Sequence, residues 1–232
     1  MTLNQITYDI LLLIRGGKLS DDENINLRQI EYWIVNTRSL IIAREIDKKK
    51  DITENIIQNL GCVDVDYVDS APCCDLKSGC NIIRTNIKIP TPIETAHRLL
   101  ITRVSGVDIT SVPYQFISYQ RAPYAGSGKY NKNHVFAFFH DNYIYVVGGE
   151  SVKMVRKINI QGVFQDPREV KSFNTCAGIP CYTNDSEFPI STKHLEILKE
   201  MVLKTNMRIA VQSPTDISGD GKHNLEPSIE RK

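Results

Sequence analysis

SDDENINLRQIEYWIVNTRSLIIAREIDK, residues 20–48, is the stretch that decides the fold. Ser20 and Glu23 have the spacing of a capping box, in which the hydroxyl accepts from the third helical amide and the carboxylate reaches back. Behind them Leu27, Ile30, Trp33, Ile34, Thr37, Leu40, Ile41 and Ala43 recur near the helical period, with polar residues between them. The pattern predicts one amphipathic helix roughly 40 Å long at ~1.5 Å per residue. A helix of that length braces a globule or reaches a neighbour.

Working outward, Thr2 and Gln5 have the same capping spacing before Leu3, Ile6, Ile10 and Leu13, which share a face, and Gly16-Gly17 stops that first helix. On the other side a charged hinge at residues 47–50 leads to a short helix expected from Asp51, with Glu54 three residues on and Ile52, Ile56, Ile57 and Leu60 as its apolar side. Gly61 is a natural residue to end it.

The pattern changes at Cys62. Val63, Val65 and Val68 fall in an extended segment, and residues 81–90, 97–104, 107–117 and 154–164 read as further strands, the last ended by Asp166-Pro167. The clearest pair is 134–139 with 143–147. Asp141-Asn142 lies between them, and both residues tolerate the positive φ of a type I′ hairpin turn. Both faces of that hairpin carry apolar or aromatic side chains, so both are expected to be covered. A last helix is expected over 192–206, with Leu195, Leu198, Met201 and Val202 inward, then a short strand at 207–211. The tail from Ser213 has little to bury and predicts no folded structure alone. The fold class is therefore α+β: N-terminal helices including one long helix (1–61), a β-rich part with an antiparallel hairpin (62–190), a C-terminal helix (191–212) and an extended tail (213–232), all in one structural unit.

The 232 residues carry 28 basic and 27 acidic side chains for a net charge of +1, so a primary role in gripping duplex DNA by its phosphates is disfavoured. No run approaches the ~20 apolar residues of a membrane span, and the amino terminus lacks signal-peptide order. The expectation is a soluble protein made in a cytoplasm.

The chemistry-bearing residues form no convincing constellation. Cys62, Cys73, Cys74, Cys80, Cys176 and Cys181 are expected to be free thiols in a chain without a secretion signal. Their spacings, adjacent or four to five residues apart at closest, do not suit the short knuckles of structural zinc. His97, His134, His140 and His194 are available as partners for a cysteine nucleophile, yet no local signature surrounds any cysteine. Residues 216–221 imitate the start of a calcium loop, but Pro227 stands where the bidentate Glu belongs. No phosphate-binding glycine loop is present. No catalytic, cofactor-binding or metal residues are assigned. The best functional candidate is the long loop over 120–133, where Arg121, Tyr124, Lys129 and Tyr130 combine area with directional hydrogen bonding, as interfaces do.

Three stretches resemble neck proteins of tailed bacteriophages. Residues 26–34 (NLRQIEYWI), continuing to 38–42 (RSLII), are similar to the long helix of ring proteins near the portal in crAss-like, short-tailed phages. Residues 57–63 (IQNLGCV) resemble the handover from helices to strands in such subunits, and residues 157–167 (KINIQGVFQDP) resemble their strand followed by Asp-Pro. The resemblance implies a virion protein made in the host bacterial cytoplasm and assembled as a twelve-subunit ring. Such a ring joins portal protein to other neck and tail proteins, continues the DNA channel, touches passing double-stranded DNA and has no active site. The alternatives are a Cys/His-dependent hydrolase, which a single Cys→Ala change would inactivate, and a nucleic-acid-binding accessory protein, whose binding would fall steeply with salt.

Overall fold

The computed structural model describes residues 1–14, 26–48, 51–69, 81–108, 110–126, 128–129 and 131–207. Its helices are α1 (Leu3–Ile14), α2 (Leu27–Asp47) and α3 (Thr192–Met201). Its strands are β1 (Gln58–Asn59), β2 (Val63–Asp69), β3 (Asn81–Thr85), β4 (Ile101–Gly106), β5 (Gln115–Phe116), β6 (Val135–His140), β7 (Tyr143–Gly148) and β8 (Lys157–Gly162). The chain is α+β, with helices at both ends of a β-rich middle.

The α1 capping box forms as expected: the Thr2 amide donates to Gln5 Oε1 at 3.0 Å and the Gln5 amide to Thr2 Oγ1 at 3.2 Å. Leu3, Ile6 and Ile10 are buried, whereas Leu13 is exposed and Leu11 takes the inward place.

The long helix is shorter than expected. Asn26, not Ser20, caps it, its Oδ1 accepting from the Arg28 amide at 3.1 Å, and the helix spans about 32 Å. The proposed Ser20–Glu23 box lies outside the described residues. The buried stripe is also rotated. Ile30, Ile34, Thr37 and Ile41 face inward as expected, but Leu27 and Leu40 are exposed, Trp33 is half-buried, and Val35, Arg38 and Ile42 are buried instead.

The helix expected from Asp51 is a single 3-10 turn, Glu54–Ile56, with no side-chain cap at Thr53. β-branched Ile52, Ile56 and Ile57 are weak helix formers, and the chain turns at once into the sheet, where the Leu60 amide donates to Ile160 O at 2.9 Å. Gly61 does adopt positive φ, +69°, as the pivot between β1 and β2.

Gly162 pairs with Gln58 on one side and Ile101 on the other, so β1 and the start of β2 run along one edge of β8 and β4 runs along the opposite edge. From β2 the sheet continues antiparallel through β3, β7 and β6, with β5 parallel to β6. The expected hairpin is present, with Asp141 at φ 50° and Asn142 at φ 63°. Residues 114–117 then bridge the two free edges: the Tyr114 amide reaches Val104 O on β4 at 2.7 Å and the Ile117 amide reaches Ala137 O on β6 at 2.9 Å. The sheet thus curls into a nearly closed barrel around Val63, Val65, Ile83, Val104, Ala137, Ile144, Val146, Ile158 and Ile160.

Several expected strands are shorter because turns intervene. Residues 150–154 form a 3-10 helix before β8, Thr95 and Arg98 close a turn before β4, and among the described residues of 107–117 the strand is Gln115–Phe116. Met207 belongs to a π-helical turn, Val202–Met207, that extends α3, and residues 208–211 and the tail lie outside the described residues.

Helices α1, α2 and α3 share one apolar cluster with Phe188. The far half of α2 joins a second cluster, with Ile42 against Ile56, Ile93, Leu100 and Val163. Arg38 sits between them, fully buried. Its Nε donates to Pro189 O at 2.7 Å, its Nη1 donates to Phe164 O at 2.8 Å, and its carbon lies 5.7 Å from the Phe188 ring centroid. Burial pushes the guanidinium down to about 9, with Tyr182 and Asp166 pulling the other way.

Two changes test this scaffold. Arg38→Met leaves two buried carbonyls without donors and is expected to lower unfolding stability by about 2–4 kcal/mol in urea titration, whereas Arg168→Ala, in a partly exposed ion pair, costs about 1 kcal/mol or less. Gly61→Ala is expected to cost about 2 kcal/mol or more, because its Cβ would stand 2.5 Å from Asn174 O on a backbone at positive φ.

Candidate interaction surface

The loop singled out from the sequence is partly ordered as a 3-10 helix, Tyr119–Tyr124, closed by the Ala125 amide on Ala122 O. It lies as a strap over the outer face of the hairpin. Alternation along β6 sends Ala137 into the barrel and Phe136 and Phe138 outward, and those two rings are buried nonetheless. The cover is aromatic. Tyr119 stacks on His140 with centroids 4.4 Å apart and meets Phe138 at 5.8 Å, while Phe138 stacks on Tyr145 at 5.0 Å.

Residues three apart on a 3-10 helix eclipse one another, so Arg121 and Tyr124 project from one side of the strap. Both are exposed, Tyr124 at 78%. Lys129 is exposed on the following turn, and Tyr130 lies outside the described residues. The structure therefore brings Arg121 and Tyr124 together and leaves Tyr130 unplaced. Sequence reasoning missed Val112, Phe116 and Tyr119, which add exposed apolar area of 82%, 41% and 57% along the same connection. The signal was available: two outward phenylalanines on β6 demand a cover, and this connection is the segment next to them.

On the other side of the strap, Ala122 and Ala125 line a groove of about 590 Å³ with Tyr67, Ile82, Val147 and Lys153. Its far wall is fixed by Tyr67, whose hydroxyl donates to Lys153 O at 3.0 Å and whose ring lies 6.0 Å from the Arg156 guanidinium carbon. A second cleft, of about 660 Å³, opens between Lys88, Asn142, Arg168 and Lys171. There Arg168 is held by Asp166 through Nε and Nη2 at 3.0 and 2.7 Å and by Glu31 of α2 at 3.2 Å, contacts that raise its pKa. Burial raises the pKa of the neighbouring Glu169.

The cysteines correct an expectation. Cys62 and Cys176 are joined in a disulfide, with Cα atoms 5.1 Å apart. Spacing along the chain could not show this, because the partners are 114 residues apart and meet only once Gly61 turns against Asn174. Cys181 remains a thiol, half-buried, with its pKa raised by burial. That shift disfavours the thiolate, and among the described residues the cavity that Cys181 lines, with Gln58, Thr175, Ser186 and Glu187, has no histidine. His97 and His134 are exposed, His140 is in the aromatic stack, and His194 faces Glu45 at 3.5 Å. Cys73, Cys74, Cys80 and the calcium-like segment 216–221 lie outside the described residues. Among the described residues no three His, Cys, Asp or Glu side chains gather in a metal-binding group, and no helix is long and apolar enough to cross a membrane.

The braced barrel presents Tyr119 and Tyr124 of the strap, and Val112 before it, to solvent. The chain belongs to the crAss-type family described as phage tail ring protein 2, whose profile matches residues 5–225. It is thus a structural ring protein of a phage tail. No curated protein matches it.

The disulfide generates a direct test. In oxidising buffer Cys62→Ser or Cys176→Ser is expected to lower unfolding stability by up to about 4–5 kcal/mol, the loop-closure limit for so long a loop. In reducing buffer the difference from the wild type should vanish, as compared by thermal melts in the two buffers.

Proposed function

We propose that this chain is one wedge of a ring in the neck of a crAss-like, short-tailed phage, seated between the portal and the tail and continuing the DNA channel. In this reading twelve copies close the ring, and each is made in the host cytoplasm before it joins the virion. The observation that carries the reading is the family match across residues 5–225, a match to tail ring proteins. Two physical features support it. The net charge of +1 suits a wall past which DNA slides without being gripped. The α2 brace gives each copy a rigid body, and Arg121, Tyr124, Lys129 and Tyr130 offer a surface for neighbours: other copies, the portal or adjacent neck and tail proteins.

Electron microscopy of host-grown particles tests it. A closed ring of this chain directly beneath the portal is expected; its absence from mature particles would remove the reading. Replacing Arg121 and Tyr124 together by alanine should change unfolding stability by less than about 0.5 kcal/mol, since both are exposed, yet lower the amount of the chain in purified particles at least several-fold.

A further inference from the structure

We infer that the outer face of α1 is the half of the ring contact that receives the strap of the next copy. The inference rests on the ring reading and names the partner surface for it. α1 has the sequence LNQITYDILLLI, with a single charged residue. That residue, Asp9, faces Lys199 of α3 at 3.4 Å. A surface helix ordinarily turns charged side chains outward. This one buries Leu3, Ile6, Ile10 and Leu11 against α2 and α3 and also presents Tyr8, Leu12 and Leu13 to solvent, at 53%, 38% and 58% exposure. Tyr8 and Leu12 stand one turn apart on the same face, and their polar neighbours Asn4 and Gln5 are uncharged amides.

Exposed apolar side chains also gather on the strap side: Val112, Phe116, Tyr119 and Tyr124, with Arg121 beside them. It belongs to a different part of the molecule. Among the described residues α1 packs in the helical cluster, whereas the strap packs on the outer face of β6. Copies related by rotation around a ring touch through two unlike patches, one given and one received. A self-complementary patch would stop at a dimer. The chemistry of the two patches also fits. A contact core is depleted of charge and enriched in tyrosine and arginine, so an aliphatic face with amide neighbours can take Tyr124 and Phe116 into its centre and offer the Asn4 side-chain oxygen to the Arg121 guanidinium. A second copy is the one partner that a ring of identical chains guarantees for both patches at once.

The experiment uses the full chain carrying Leu12→Asp or Tyr124→Asp. Both side chains are exposed, so thermal melts should match the wild type; Leu13→Ser replaces Leu12→Asp if that variant melts early. Where the wild type forms closed rings, each variant alone is expected to remain monomeric by light scattering, with contact affinity reduced about tenfold or more. An equimolar mixture of the two should stop at a one-to-one dimer, because the intact strap of the first meets the intact α1 of the second. Rings of Leu12→Asp alone, or a mixture that stays monomeric, overturn the pairing and leave the ring reading standing. Where the wild type assembles only in particles, the map of the ring decides: α1 against a neighbour's strap supports the pairing, and α1 against a different neck or tail protein, or bare, overturns it. Particles without any ring of this chain overturn the ring reading itself.

Discussion

A buried guanidinium holds the molecule together. Arg38 projects from the middle of α2 into a site closed to solvent, where taking a charge out of water costs several kcal/mol unless hydrogen bonds offset it. Two carbonyls provide part of the offset, through Nε and Nη1: Phe164, at the exit of β8, and Pro189, just before α3. Because both acceptors are backbone atoms, the contact fixes the path of the chain and not just a side-chain rotamer. The helical cluster lies on one side of Arg38 and the cluster that joins α2 to the sheet lies on the other. Move Arg38 and both packings lose their common reference. The nearby Arg168–Asp166–Glu31 contacts repeat the link at the surface with less at stake, since those side chains are partly hydrated.

The same residue explains where the sequence could and could not be read. The helical period of α2 was plain, and so were the α1 capping box and the Asp141-Asn142 turn, because each is a local matter of a few side chains and their own backbone. The inward stripe of α2 was misjudged at Leu27 and Leu40 because an arginine scores as solvent-facing by composition, while here it turns the helix so that Val35 and Ile42 go inward. The short helix after residue 51 failed for a related reason. Its apolar spacing was helical, but β8 offers an open ladder edge, and long-range pairing outweighs a weak local preference. The Cys62–Cys176 bond was invisible because its partners are neighbours only in the folded chain.

The surface was legible in part. Tyr and Arg in a long connection pointed to residues 120–133, and its first part falls in the 3-10 helix Tyr119–Tyr124, which is pinned from beneath by the Tyr119–His140 stack. The apolar outer face of α1 went unremarked because its spacing reads as an ordinary buried helix. Only solvent exposure separates Leu11, which is inside, from Leu12 and Leu13, which are not. In the ring contact inferred above, the next copy covers the side chains that a single copy leaves exposed.

The bridging segment at residues 114–117 has one more consequence. By bonding to β4 on one side and β6 on the other it narrows the gap between two strand edges of the sheet. Unsatisfied strand rims are templates on which further chains can add without limit. Copies at high concentration thereby find fewer strand edges on which to add, and association is left to side-chain surfaces.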